Sequence, residues 1–496
     1  MRPGSGTKGF AIRSALVVYL AFTLVRSAAS IPPTSDDALQ SWISRATVNV
    51  RSIDAADEDF SDLEPLATAI GSARVVQLGE PSHGAGSAFQ AKVRLVKFLH
   101  QRMGFDVLVW ESGLYDVRLT EAGLRTGEDP QKAAQRGIFS IWSAAAQVAP
   151  LFEYIKATRA TTRPVEMAGF DMQFTSDACF DRFAGDLRSF VNALPDAPVR
   201  SNASQLADRA ITAYEAIRGR IATRMRKNDE ARTARLSEQA AAKMMKAWEQ
   251  QDAPAFRNDR DRLLESVDRL LSIMRADRTE LLQVHSARQI EFIERVTENM
   301  RTEGLNLYDV IGPDRPAGSP AFASRLEVEN RRDAQNANNL RWLIQEVYAG
   351  KKIIVWAHNA HVMNAYYASD WHTVYLDPHP DSMKPMGVFL SEWLEDQIYT
   401  IIMTTYEGED GWSTAHELTA IPPAPDGSIE ARVHQRAKPY AFIDLRSLKE
   451  IPTHPVHSVQ QMRLPKYETN TLPDITRVAD GIFYIDHMAP ATAIQP

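Results

Sequence analysis

The sequence predicts an α/β fold: a mostly parallel sheet with helices on both faces and a long helical insertion. Three observations carry this. Short apolar runs such as Lys352-Ile353-Ile354-Val355-Trp356 show no polar alternation, as strands covered on both faces require. Stretches of helical period separate those runs. From about 185 to 305 the character changes: Ala, Arg, Glu, Lys and Met dominate, and Pro254 is the one proline between Pro198 and residue 305. That composition reads as a run of long helices inserted into the sheet domain.

Taken in order, residues 31–72 read as a mature N-terminus and a leading helix. Arg74-Val75-Val76-Gln77-Leu78 reads as the first strand. Phe89, Val93, Val96, Leu99 and Met103 then fall at helical spacing, and Gly104 ends the helix. Asp106-Val107-Leu108-Val109-Trp110 is the next strand and Val165 to Phe170 the third. The 352–356 run is the fourth and Tyr399 to Thr405 the fifth. Pro422, Pro423, Pro425 and Gly427 mark 421–440 as a loop. Met225, Met244, Met245, Met274 and Met300 in the insertion read first as helix-packing residues, with the lining of a ligand cleft as the sharper alternative.

The N-terminus has its own pattern. Arg2, Lys8 and Arg13 precede an apolar run from Ala15 to Val25, and the small residues Ser27 to Ser30 follow. This predicts a signal peptide over 1–30 and an exported chain, periplasmic or secreted, with residues 31–496 as one α/β domain that carries the insertion. The run is short for a bilayer span, and an uncleaved N-terminal anchor is the alternative. No other membrane span is expected. The 496 residues carry a formal charge of −7, which does not suit nucleic acid. Cys179 is the sole cysteine, so an intrachain disulfide and a cysteine metal cluster are excluded, and a small buried residue is expected there.

Chemistry-bearing residues collect where the apolar runs end. Strand 74–78 runs into Gly79-Glu80-Pro81-Ser82-His83-Gly84, and strand 106–110 into Glu111-Ser112-Gly113. The third runs into Gly169-Phe170-Asp171 and the fourth into Ala357-His358-Asn359-Ala360-His361. In a parallel sheet these ends share one edge, where ligands of open α/β folds bind. A single such junction is usually only surface; four predict a cleft. His83 can take a proton from water, with Glu80 or Glu111 holding its ring. His358 and His361 can donate to an oxyanion, relay a proton, or bind zinc together with Glu80 or His83. The competing metal reading takes His83, His358 and His361 as ligands; the favoured reading has no cofactor. Lys92 lies on the apolar stripe of its helix and must pair with an acidic site residue or reach the cleft. Arg332 can orient a carboxylate. Ser82 lacks the Gly-x-Ser-x-Gly elbow, so direct attack by water is expected.

These motifs together resemble the erythromycin esterase family: Gly79-Glu80-x-x-His83-Gly84, Gly104-Phe105 and Glu111, Gly169-Phe170-Asp171, Arg332-Asp333, Ala357-His358-Asn359-Ala360-His361, and Met386-Gly387 with Leu390. The resemblance implies hydrolysis of a carboxylic ester, in the family a macrolide lactone whose opening confers resistance. Water is the nucleophile, a histidine matching His83 is the base, and residues matching Glu80, Glu111, His358 and His361 complete the site. Where the family often has an arginine, this chain has Lys92, which keeps the charge and loses the planar fork. The expected partner is a small-molecule ester, and an acidic cleft suits a cationic one. Two other readings stand beside this one: a metal-dependent hydrolase or peptidase, and a non-catalytic periplasmic binding or polysaccharide-assembly protein.

Overall fold

The computed structural model describes residues 35–495 apart from 235–236, 312–320, 366–382, 416, 437, 459 and 465. The expected signal peptide, residues 1–30, lies outside the described residues. Among the described helices none is long and apolar enough to cross a membrane.

Eleven strands are described: β1 (Val48–Val50), β2 (Val75–Leu78), β3 (Phe105–Gly113), β4 (Glu166–Asp171), β5 (Lys352–Trp356), β6 (Ile398–Gly411), β7 (Leu418–Ile421), β8 (Tyr440–Asp444), β9 (Gln460–Arg463), β10 (Thr469–Leu472) and β11 (Gly481–Met488). Nine form one sheet in the order β1-β8-β11-β6-β2-β5-β3-β4, with β7 paired to β6. From β11 to β4 every neighbouring pair is parallel. β8 pairs antiparallel with both β1 and β11, and β7 with β6. The chain is therefore α/β, as its apolar runs imply. The antiparallel strands β1, β7 and β8 have no counterpart in the sequence reading: they are short, and their period is hidden among turn residues.

Two cores flank the sheet. Val75, Val107, Val109, Ile353 and Val355 face one, with Phe183, Leu187, Tyr214 and Met300 from the helical layer. Val76, Leu78, Leu108, Trp110, Ile354 and Trp356 face the other, with Phe89, Val93, Val96 and Phe152. Alternate residues of each strand thus go to opposite apolar layers, which is why the strands read as unbroken apolar runs. The Gly86–Met103 helix lies between β2 and β3 in sequence and ends at Gly104, whose φ of 79° is the left-handed conformation of a helix C-terminus.

Long helices follow β4: Asp177–Asn192, Ala197–Thr233, Glu238–Ala276, Ala287–Ile311 and Ala321–Trp342. Met274 and Met300 are core residues there, while Met244 and Met245 are half-buried. Cys179 is buried, with its thiol against the Arg136 carbonyl. The stretch expected as a loop over 421–440 contains the Ile429–His434 helix. The prolines do interrupt the chain, but Ser428 caps a new helix by accepting the Ala431 N–H at 3.2 Å.

Candidate active site

The C-terminal ends of β2, β3, β4, β5 and β6 come together on one edge, and β2 and β5 are direct neighbours. Their adjacency brings Gly79–Gly84 against Ala357–His361. The Asn359 N–H donates to the Glu80 carbonyl at 2.8 Å, and the Asn359 amide exchanges hydrogen bonds with the Met403 backbone on β6. A side chain at Gly79 would collide with the Asn359 amide, so the glycine permits this approach.

Two ionic groups result. In the first, Glu80 is fully buried and accepts from three sides: Lys92 through Oε2, the Trp142 indole N–H through Oε1 at 3.0 Å, and His83 Nδ1 through Oε1 at 3.2 Å. Lys92 also donates to the Ala357 carbonyl at 3.1 Å, and its ammonium lies 4.3 Å from the Trp356 ring centroid. Burial pushes Lys92 down to about 8, against the opposing pull of Glu80 and Glu111. A buried ammonium with these partners is a satisfied one.

The second group is built on Glu111. Its Oε2 accepts the His358 backbone N–H at 2.8 Å; its Oε1 lies 3.2 Å from Arg332 and 3.2 Å from His361 Nε2. Arg332 also holds Asp171 at 2.5 Å, and His361 Nδ1 lies 2.6 Å from Asp333. Burial opposes ionisation of Glu111, yet His361, His83 and Arg332 outweigh it and hold the carboxyl well below its ordinary range. Burial likewise opposes a charge on His361, but Asp333 and Glu111, one at each ring nitrogen, hold it well above its ordinary value. The paired carboxylates thus favour the charged ring, against the opposing Arg332 guanidinium 3.4 Å from Nε2. The helix that supplies Arg332 and Asp333 is fixed by Asn336 and Asn339, which bond the Met172 N–H and the Phe170 carbonyl at the end of β4 at 2.9 Å each. Asp333 also accepts the Met386 N–H at 3.1 Å, and Gly387 lets that segment pack against the Val362 and Met363 carbonyls.

His358 stands between the groups, its ring centroid 5.0 Å from His83 and 6.5 Å from His361. Its Nε2 meets the Pro81 carbonyl at 3.1 Å and its Nδ1 accepts the Ala360 N–H at 3.0 Å. Burial, with His83 and His361 nearby, pushes it well below its ordinary value, so the ring is neutral with its proton on Nε2. His83 differs: its side chain is 24% exposed, and among the described residues none takes its Nε2 in a hydrogen bond.

The structure thus joins Glu80, His83 and Lys92 in one cluster and Glu111, Asp171, Arg332 and His361 in another, with His358 as the strut between them. Among the described residues no three His, Cys, Asp or Glu side chains are grouped to hold a metal ion. His83, His358 and His361 do not fit a shared metal as arranged, because both nitrogens of His358 and both of His361 already face partners.

Several residues of the site carry no sequence signal. Trp142 sits edge-on to His83 at 5.3 Å and Trp412 at 5.9 Å. Asp410, at the end of β6, fills the space that a side chain at Gly84 would need, and Tyr467 donates to it at 2.8 Å. Tyr467 also contacts the Ser82 hydroxyl, and the preceding Lys466 N–H bonds the Pro81 carbonyl at 2.9 Å. Lys466 and Tyr467 have φ of 55° and 65°, a strained turn held against the His83 loop. The last described residues also brace the site: the Ala491 N–H bonds the Gly84 carbonyl, and the Ala146 N–H the Thr492 carbonyl, both at 2.8 Å. Each contact joins residues far apart in sequence. Asp333 alone had a local hint, as the neighbour of Arg332.

Comparison with known proteins shows the fold and the family. A putative hydrolase of Bacillus subtilis strain 168, YbfO, is 25% identical over 498 residues, covering 97% of each chain. A Bacillus cereus protein of solved structure superposes with a TM-score of 0.69 at 17% identity, covering 93% of this chain and all of that one. A mutant of the erythromycin esterase EreC in its open conformation gives 0.58 at 15% identity, covering 91% of this chain and all of that one; a succinoglycan biosynthesis protein gives 0.62 at 17%, covering 92% and 97%. The sequence profile described as erythromycin esterase matches residues 100–487, beginning after Glu80, His83 and Lys92. With most of its length matched, and with Glu111, Asp171, Arg332, His358 and His361 inside the matched span, the chain belongs to the erythromycin esterase family and is a hydrolase of that family.

Proposed function

We propose that the protein hydrolyses a carboxylic ester of a small molecule, a macrolide lactone or a related ester, with His83 as the general base that activates water. The observation that carries this reading is the contrast among the three histidines. His83 is partly exposed, with Nδ1 on Glu80 and no hydrogen-bond partner at Nε2 among the described residues, whereas His358 and His361 have both nitrogens engaged. A base needs an oriented ring and a free nitrogen; His83 alone has both.

In this mechanism a water between His83 Nε2 and the ester carbonyl loses its proton to Nε2 as its oxygen attacks. Glu80 stabilises the imidazolium that forms, and Lys92 neutralises Glu80 beforehand so that its charge can be buried. The oxyanion that develops faces the Arg332 and His361 cations, which Glu111, Asp171 and Asp333 hold in place. His83 then returns the proton to the departing alkoxide. Ser82 is a poor nucleophile in this setting, because its hydroxyl accepts the Gly84 N–H at 3.1 Å and contacts Tyr467. No cofactor is invoked, and a chain carrying the proposed signal peptide would do this work outside the cytoplasm.

The test is mass spectrometry of a macrolide and simple-ester panel incubated with the purified protein, with and without a chelator. Gain of one water by a panel member, undiminished by chelation, is expected. Loss of activity on chelation and its return with zinc would replace this mechanism, and no turnover of any ester by folded protein would remove the reaction.

A further inference from the structure

The three rings around His83 are not equivalent. His358 is buried and bonded at both nitrogens, and Trp142 is fully buried with its N–H on Glu80. Trp412 is 44% exposed, although its ring centroid is 5.9 Å from that of His83. It is also fixed from both sides. The Gly411 N–H before it bonds the Gly84 carbonyl at 3.3 Å, and the Ser413 hydroxyl after it bonds the Ile141 carbonyl at 3.3 Å. Leu418, 60% exposed, is paired across the hairpin with Gly411 and packs against it. Half-buried Phe139 and Ile141 flank Trp142 on the facing segment. One side of His83 is therefore an apolar lip, and the other side, beyond His358, is the ionic group of Arg332, His361 and Glu111.

A partly exposed indole whose chain neighbours are anchored on both sides, beside the proposed base and next to exposed Leu418, offers a ligand an apolar surface to cover. We infer that Trp412 is a specificity-determining residue: its indole carries the apolar, non-reacting part of the ester, an alkyl chain or ring face, while the carbonyl lies at His83 Nε2. This rests on the esterase reading of the same site and adds the substrate class, esters with an extended apolar portion.

The test separates binding from turnover. Methyl octanoate and methyl acetate are titrated by ligand-observed NMR against the His83→Gln protein, with Trp412 intact, as Trp412→Phe and as Trp412→Ala. Octanoate is expected to bind more tightly than acetate. Trp412→Ala should weaken octanoate binding about tenfold and leave acetate within about twofold, and Phe should restore most of the preference. Equal affinity for the two esters, no measurable binding of either, or a preference untouched by Trp412→Ala overturns the inference. Turnover by the unmutated protein is read separately. Trp412-dependent octanoate binding with no turnover of any ester in the panel would sink the esterase reading and keep the binding platform, whereas hydrolysis without Trp412 dependence would do the reverse.

Discussion

The loops after β2 and β5 begin from the same position: neighbouring parallel strands, one sheet edge, each loop bearing histidine. They differ in what surrounds the rings. After β5, His358 spends Nδ1 on capping its own turn and Nε2 on the Pro81 carbonyl, and His361 lies between Asp333 and Glu111. After β2, His83 has a single carboxylate partner and a nitrogen left over. A histidine becomes a base, a strut or a fixed cation according to how many of its nitrogens the fold has already committed.

That contrast can be broken at several points. The largest effect is expected at His361. Removing the His361 ring takes one partner from each of two buried carboxylates, leaving Glu111 with Arg332 and the His358 N–H and Asp333 with the Met386 N–H, so His361→Asn should cost about 3–5 kcal/mol in urea unfolding at pH 6. The sign follows from the raised value. This stabilisation is complete below the unfolded pKa of about 6.5, shrinks as pH climbs towards the folded value and vanishes above it. The difference between the two proteins should therefore narrow from pH 6 to pH 9, and a gap independent of pH would show that His361 is not a fixed cation. At His83 the loss should fall on rate instead. His83→Ala is expected to lower ester turnover by about 10²–10⁴-fold, with a thermal melt close to that of the unmutated protein.

His358→Ala should do the opposite, removing a cap and a buried hydrogen bond at a cost of about 2 kcal/mol. A folded, fully stable but inactive His358→Ala protein would make His358 the base and reverse the assignment. The smallest effect is expected at the turn that holds the His83 loop. Tyr467→Phe should cost about 1 kcal/mol, and a double-mutant cycle with Asp410→Asn should give strongly non-additive losses in turnover, because the two act as one clamp. Additive losses would separate the clamp from the base.

The sequence made one side of this comparison easier to read than the other. The parallel strands were legible because their residues are buried on both faces, and the clustering of Glu80, His83, Glu111, Asp171, His358 and His361 followed from where those strands end. Lys92 was legible as an anomaly, a cation on an apolar stripe that needed a carboxylate, and Glu80 is that carboxylate. The division of labour among the histidines was not legible. It depends on the Pro81 carbonyl, on Asp333 one turn of helix away from Asn336, and on which neighbour reaches which ring nitrogen. Trp142, Asp410, Trp412 and Tyr467 were invisible for the same reason, since the Ser140–Ser143 helix, the end of β6 and the β9–β10 turn reach the His83 loop only through tertiary packing.

Chemical rescue tests the central claim most directly. Imidazole added to the His83→Ala protein can enter a cleft that already exposes the ring, whereas the sites vacated in His358→Ala and His361→Ala are buried. Imidazole should restore ester hydrolysis in a concentration-dependent way to His83→Ala alone. Rescue of His358→Ala or His361→Ala with none of His83→Ala would place the base on the loop after β5 and contradict the assignment.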